Sequence, residues 1–283
     1  MTPADRLAAA EARGRFTAEV SKPDAELSLA RAALLVGKEE EPRGWDVARC
    51  LARLDELGEE ARARVLRGGA RVEALNRYLF DEQGFAGNVA DYYDPRNSML
   101  HQVLGRRLGI PITLSIVYME VGARAGLRVD GVALPGHFVV RAYEPEGGEG
   151  VLVDPYNQKV TNLEECQHRL DGIYDGAVKI GEEHLRAAGK REILARVLGN
   201  LKAVYVHAQL FRRALAAVER TLLVTPHDLD ERRDRGMLLA QLNRMHEAVA
   251  DTQTYLNLAP DAPDADSVRE QLKKMHVRLA MLN

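Results

Sequence analysis

Toward the end of the chain the same residues return at a fixed interval. Ala214 recurs as Ala248, Leu222 as Leu256 and Pro226 as Pro260, each 34 residues on. A period of that length is set by a helix–turn–helix unit that buries its apolar face only when neighbouring units stack. In the first copy Leu198, Leu201, Tyr205, Ala214, Val218 and Pro226 stand at the helix-packing spacing. The second keeps Gly236, Leu239, Ala248 and Pro260, but has Arg232 and Arg235 where large apolar residues are usual. A last helix, Ser267 to Leu282, is expected to cap the stack. Two units are fewer than the three or so that stand alone, so this module should lean on a first domain.

This is the tetratricopeptide period, and it divides the chain into a first domain over 1–185 and tetratricopeptide-type helical repeats over 186–283. The length of 283 residues agrees, at about 150 residues per domain. Hydrophobic residues at 46% and charged residues at 29% exclude a largely disordered or low-complexity chain. Leu108–Met119 and Gly131–Val140, the longest uncharged stretches, fall short of the roughly 20 residues that cross a bilayer. MTPADRLAAAEARGRF is charged throughout and lacks a signal-peptide core. A cytoplasmic protein with no membrane partner is therefore expected. Cys50 and Cys166 are the only cysteines, too few for a disulfide framework or a four-thiolate zinc site.

The net charge is −3, which argues against a nucleic-acid partner. From Arg186 onward 16 Lys and Arg stand against 12 Asp and Glu; before it, 23 stand against 30. The basic excess is interleaved with acids along helices and reads as a solvated face.

Residues 16 to about 80 read as helices. One starts behind Ser21-Lys22-Pro23 and covers Asp24–Val36; another covers Trp45–Leu57, with Cys50 on its apolar stripe as a small buried hydrophobe. A third lies around Val72–Phe80. Gly84–Gln102 mixes Gly, Asn, Asp and Pro with aromatics and reads as an ordered loop of the kind that carries sites. A helix follows Pro111 and stops at Gly126. Val129–Ala142 and Gly150–Asp154 read as strands joined across EPEGGEG in an antiparallel hairpin. Helix returns around Leu163–Leu170, where Cys166 reads as a surface or half-buried thiol.

The sharpest chemical pairing is His137 with Asp154, 17 residues apart across the glycine turn. On adjacent strands a carboxylate fixes the tautomer of an imidazole and stabilises its cation, as a catalytic base requires. An activated nucleophile belongs at a helix N-terminus, where backbone N–H groups face an oxyanion. The first turn after Pro111 offers hydroxyls, Thr113 and Ser115, and no thiol; a cap and a helix-face hydroxyl are their plain structural roles. Asn97 and His101 in the loop region, and Tyr156 and Asn157 behind Asp154, are candidate binding residues. His101, His137 and Asp154 come from separate segments, and no metal or other cofactor is expected from them. Gly105, Gly109 and Gly122 make no phosphate-cradling motif, and the run from Asp91 is not a calcium loop, with Tyr93, Pro95 and Gln102 at ligand positions.

The run YYDPRNSMLHQVLGRRLGIPITLSIVYMEVGARAGL, followed by GVALPGHFVVRAY and VLVDPYN, resembles the SirB family. LNRYLFDEQGFAGN fits the same pattern, and the resemblance covers roughly residues 20 to 270. It implies a transglutaminase-like domain followed by tetratricopeptide repeats: an α+β, papain-like fold with N-terminal helices and a central helix on a small antiparallel sheet. Transglutaminase-like enzymes use a Cys at the start of the central helix, a His on one strand and an Asp on the next. By that resemblance His137 and Asp154 match the His and the Asp. The Cys column falls at Pro111-Ile112-Thr113, which carries no thiol.

Two functions are consistent with these features. One is an interaction or regulatory protein, its enzyme-like domain lacking the nucleophile and its repeats holding a protein or peptide. The other is an unusual amide hydrolase or acyl transferase in which His137, oriented by Asp154, activates Thr113, Ser115 or a water.

Overall fold

The computed structural model describes residues 2–67, 69–145 and 147–281. Leu282 in the expected last helix and Glu146 in the expected turn lie outside the described residues. Two compact units form, Met1–Val197 and Leu198–Asn283, and the division falls within one helix, Lys190–His207.

The first unit opens with helices whose starts follow local caps. Helix α1 (Pro3–Val20) begins at Thr2, whose hydroxyl accepts from Asp5 N while the Asp5 carboxylate accepts from Thr2 N. Ser28 caps α2 (Leu29–Glu40) and Asp46 caps α3 (Val47–Val65). Helix α4 (Arg71–Asn76) runs on into a π-helical turn, Arg77–Glu82. A short parallel pair follows, β1 (Ala86–Gly87) with β2 (Leu108–Gly109). Between them lie a 3-10 turn, Pro95–Ser98, and α5 (Leu100–Arg106).

The central helix is α6 (Pro111–Arg124). Every residue from Pro111 to Tyr118 is buried, as befits an apolar helix packed on all sides. It packs on α3 and on the antiparallel sheet β3 (Arg128–Leu134), β4 (His137–Tyr143), β5 (Val151–Asp154), β6 (Lys159–Thr161), which lie side by side in chain order. Helix α7 (Leu163–Tyr174) and a 3-10 turn, Glu182–Leu185, follow. The α+β class implied by the sequence holds.

Three expectations change. Val129–Ala142 is not one strand but a hairpin, β3–β4, closed by Pro135-Gly136 with Gly136 at φ 67°. The proline-glycine pair supplies the turn, and its apolar flanks had read as continuous strand. Cys50 is only half-buried, whereas Cys166 is buried among Val132, Leu134 and Val139. Cys166 itself packs against one face of the sheet, which its polar neighbours Glu164, Glu165 and Gln167 conceal in the sequence.

Alternation along the strands separates the two faces. Val129 and Gly131 meet α6: a Cβ added at Gly131 would lie 3.2 Å from Met119 Sδ, and one at Gly122 would lie 2.7 Å from Val129 Cγ2. Val132, Leu134 and Val139 have the other parity and pack with Cys166 of α7.

The second unit takes up α8 (Lys190–His207) from residue 198 and continues through α9 (Phe211–Val224), α10 (Leu229–Gln241), α11 (Met245–Leu258) and α12 (Ala265–Ala280). Neighbours α9–α10, α10–α11 and α11–α12 pack in succession. The sequence period is a backbone period: Gln209 (φ 56°) and Asn243 (φ 61°) both turn left-handed one repeat apart. The two unexpected arginines are ion-paired. Arg235 grips Asp251 of α11 through Nε and Nη2 at 2.6 and 2.7 Å, and Arg232 Nη1 lies 3.9 Å from the same carboxylate.

Candidate functional site

His137 is the first residue of β4 and Asp154 the last of β5. Strand parity puts both on the α7 side of the sheet, opposite the face that meets α6. His137 Nε2 lies 2.8 Å from Asp154 Oδ2, and both residues are buried, 5% and 4% exposed. Asp154 is saturated. Oδ1 accepts from Tyr156 N and Asn157 N at 3.0 and 3.1 Å, and Oδ2 accepts from Asn157 Nδ2 at 2.6 Å. Burial pushes its pKa upward, but the His137 and Asn157 hydrogen bonds outweigh that and hold it below the ordinary carboxylate value. The carboxylate is thus ionised, and Nε2–H donates to it.

His137 Nδ1 is buried and has no partner among the described residues. The cavity beside the ring is lined by Leu134, Pro135, Cys166, Leu170 and Ile173 and measures about 10 Å³, room for one water at most. Arg196 Nη2 donates to the carbonyls of Leu134 and His137 at 3.0 and 3.1 Å, clamping the β3–β4 turn from both sides of Gly136. Arg169 Nη1 is 3.9 Å from Asp154 Oδ2. Sequence reasoning missed both arginines, since neither belongs to a motif.

The candidate hydroxyls lie on α6. Thr113 Oγ1 donates to Asn97 O at 2.7 Å and accepts from Ile110 N at 3.2 Å, so it caps the helix and ties it to the loop. Ser115 Oγ is buried without a partner among the described residues. Neither hydroxyl is hydrogen-bonded to His137.

The four candidate binding residues separate into three places. Tyr156 and Asn157 adjoin Asp154, and Tyr156 O accepts from Gly87 N at 3.1 Å, where a Cβ would strike the tyrosine ring. Asn97 is a hub of the 84–99 loop: its Nδ2 donates to Asp91 O and Tyr92 O, and its Oδ1 accepts from Asn88 Nδ2. His101 belongs to a different cluster. It stacks on Trp45 at 3.8 Å and 4°, and its Nε2 lies 2.9 Å from Glu41 Oε2. Among the described residues no group of His, Cys, Asp and Glu side chains is arranged to hold a metal ion. None of the helices described is long and apolar enough to cross a membrane.

A central helix on an antiparallel sheet carrying a His–Asp pair, followed by stacked helical hairpins, defines a transglutaminase-like domain with tetratricopeptide repeats. The comparisons agree: residues 48–199 match the transglutaminase-like superfamily model and residues 201–273 a tetratricopeptide repeat model. The chain belongs to the transglutaminase-like SirB family that its motifs resemble. A UPF0162 protein of Xylella fastidiosa (strain Temecula1) is 39% identical over 207 residues, covering 71% of this chain and 73% of that protein. A UPF0162 protein of Vibrio cholerae is 29% identical over 225 residues, covering 80% and 83%. Protein SirB1 of Salmonella typhimurium is 27% identical over 222 residues, covering 78% and 82%. No solved structure matches.

Proposed function

We propose that this chain is a cytoplasmic protein-interaction or regulatory factor, in which the transglutaminase-like domain is a non-catalytic scaffold and the repeats bind a protein or peptide. The observation that carries the reading is the state of the first turn of α6. Where the family's enzymes place a thiol, the Thr113 hydroxyl is spent on Asn97 O and Ile110 N. A nucleophile must be free to give its proton to the base, and this one gives it to a carbonyl. The buried His137–Asp154 pair then serves as a cross-strand brace. In the repeat unit, a groove of about 630 Å³ lined by Val206, Phe211, Met237 and Leu238 provides apolar surface for a partner.

The unpartnered Nδ1 of His137 favours the second reading, a hydrolase or acyl transferase using a hydroxyl or water. One experiment separates the two. Wild type and His137→Ala are assayed against a panel of amides and esters, and partner capture is compared for Met237→Glu, Thr113→Ala and Ser115→Ala. The scaffold reading expects no turnover, with capture lost only in Met237→Glu. Turnover that disappears in His137→Ala would overturn it.

A further inference from the structure

Away from the His137–Asp154 pair, the sheet carries a second feature. The register runs Asp130–Arg141–Leu152–Thr161 straight across β3, β4, β5 and β6. Directly opposite positions on antiparallel strands normally let unlike charges pair. Here Asp130 is taken instead by Arg128, whose Nη2 donates to it at 2.7 Å while the same guanidinium lies 4.3 Å over the Tyr143 ring. Arg141 is left half-buried, with no ion pair or hydrogen bond from its guanidinium among the described residues.

Arg141 lines an open groove of about 780 Å³ together with the apolar side chains of Tyr143, Leu152, Leu163 and Leu185. The volume suits a ligand of several residues or a small organic molecule. A fork of unpaired N–H donors in an apolar trough selects a carboxylate joined to an apolar body. The exposed Glu149 at the rim disfavours a run of acidic groups, so a single carboxylate fits best. Asn162 stands at the same rim. Its Oδ1 caps α7, and its amide nitrogen makes no hydrogen bond among the described residues, leaving a donor for a peptide carbonyl.

We propose that Arg141 and the Tyr143–Leu152–Leu163–Leu185 groove bind the C-terminal carboxylate of a partner chain that ends in an apolar residue. This adds a contact on the first unit to the protein-binding reading. It can fail while the repeat groove still captures a partner, and the two are read separately.

The test is binding of fluorescently labelled hexapeptides to the full chain. One ends in Leu with a free carboxylate, one is the same peptide amidated, and octanoate is the competitor. The free acid should bind at least about tenfold more tightly than the amide. Arg141→Gln should abolish that preference. Leu163→Asp, at an exposed wall position, should weaken the free acid at least as much, and octanoate should compete poorly. Equal binding of acid and amide, an acid preference that survives Arg141→Gln, or no binding of either peptide would overturn the proposal. Octanoate binding as tightly as the peptide would overturn the peptide and leave a free carboxylic acid as the ligand.

Discussion

His137 reaches Asp154 diagonally rather than straight across. The register that pairs Val140 with Val153 carries Asp154 to the row of Val139, two residues along the strand from His137, and the ring closes the gap to 2.8 Å. The contact therefore ties the closing turn of the β3–β4 hairpin to the end of β5. A brace in that position holds the sheet whether or not any substrate arrives.

Removing the carboxylate should test the brace. Asp154→Ala leaves two backbone N–H groups, the Asn157 amide and a buried imidazole without their acceptor, at a cost of about 3 kcal/mol or more. Asp154→Asn keeps an acceptor for Tyr156 N and Asn157 N and should lose less. The two also differ from wild type in acid. Because the Asp154 pKa is lowered on folding, its contribution is present above the ordinary value of 3.8 and lost as the pH falls from there through the folded value. Urea unfolding of wild type and Asp154→Asn between pH 3 and 6 should therefore converge at the acid end. Parallel curves would show that Asp154 does not titrate with unfolding.

Two hydroxyls on one helix should respond in opposite directions. Thr113 makes two hydrogen bonds that join the start of α6 to the loop at Asn97, so Thr113→Ala should cost about 1–2 kcal/mol and Thr113→Ser much less. Ser115 Oγ is buried without a partner, and Ser115→Ala removes a desolvated hydroxyl for the loss of little packing. That variant should match or exceed wild type in denaturant. A large loss in Ser115→Ala would mean that the hydroxyl has a bound water or ligand.

His101 gives a pH dependence of its own. Its ring lies between Trp45 and Gly37, where a Cβ would approach to 2.5 Å, so no larger residue than glycine fits beneath it. Burial lowers its pKa, and the hydrogen bond that Nε2 donates to Glu41 offsets that only in part. The folded chain thus binds this proton less well than the unfolded chain. The contribution is complete above the ordinary value of 6.5 and is lost as the pH falls through it toward the folded value. Unfolding free energy should drop between pH 7 and pH 5 in wild type, and by less in His101→Phe. An equal drop in both would assign the dependence to other groups.

The helices and the repeat were legible because each rests on local information: the apolar stripe of Trp45–Leu57, Pro111 and Gly126 around α6, and a period that returns in the backbone at Gln209 and Asn243; the breaker at Ser21-Lys22-Pro23 placed the start of α2 too early, ahead of its cap at Ser28. The pairing of His137 with Asp154 was legible because one glycine turn separates their strands. Long-range features were not. Pro135-Gly136 divides a stretch whose residues all read as strand, and nothing in the string marks it as the site Arg196 clamps from 59 residues away. The groove around Arg141 was invisible for the same reason. It depends on Asp130 choosing Arg128 over Arg141, and that choice is made only once the sheet exists.

The second repeat offers the last test. At Arg235 the period usually places a large apolar residue, and the chain substitutes an ion pair with two hydrogen bonds to Asp251, a buried residue of α11. Asp251→Ala takes both hydrogen bonds from Arg235, leaving it the more distant charges of Glu219 and Glu247, and removes the ion-pair partner of Arg232, which should cost about 2–3 kcal/mol. Adding Arg235→Leu exchanges the cation that has lost its hydrogen-bond partner for the apolar side chain that the position usually carries, and part of the loss should return. Arg235→Leu alone should destabilise, since it leaves the Asp251 carboxylate unpaired. Chemical denaturation of the wild type, the two single variants and the double variant measures the coupling between the positions. If the double variant equals the sum of the two singles, the pair does not hold α10 to α11, and apolar packing alone joins the hairpin.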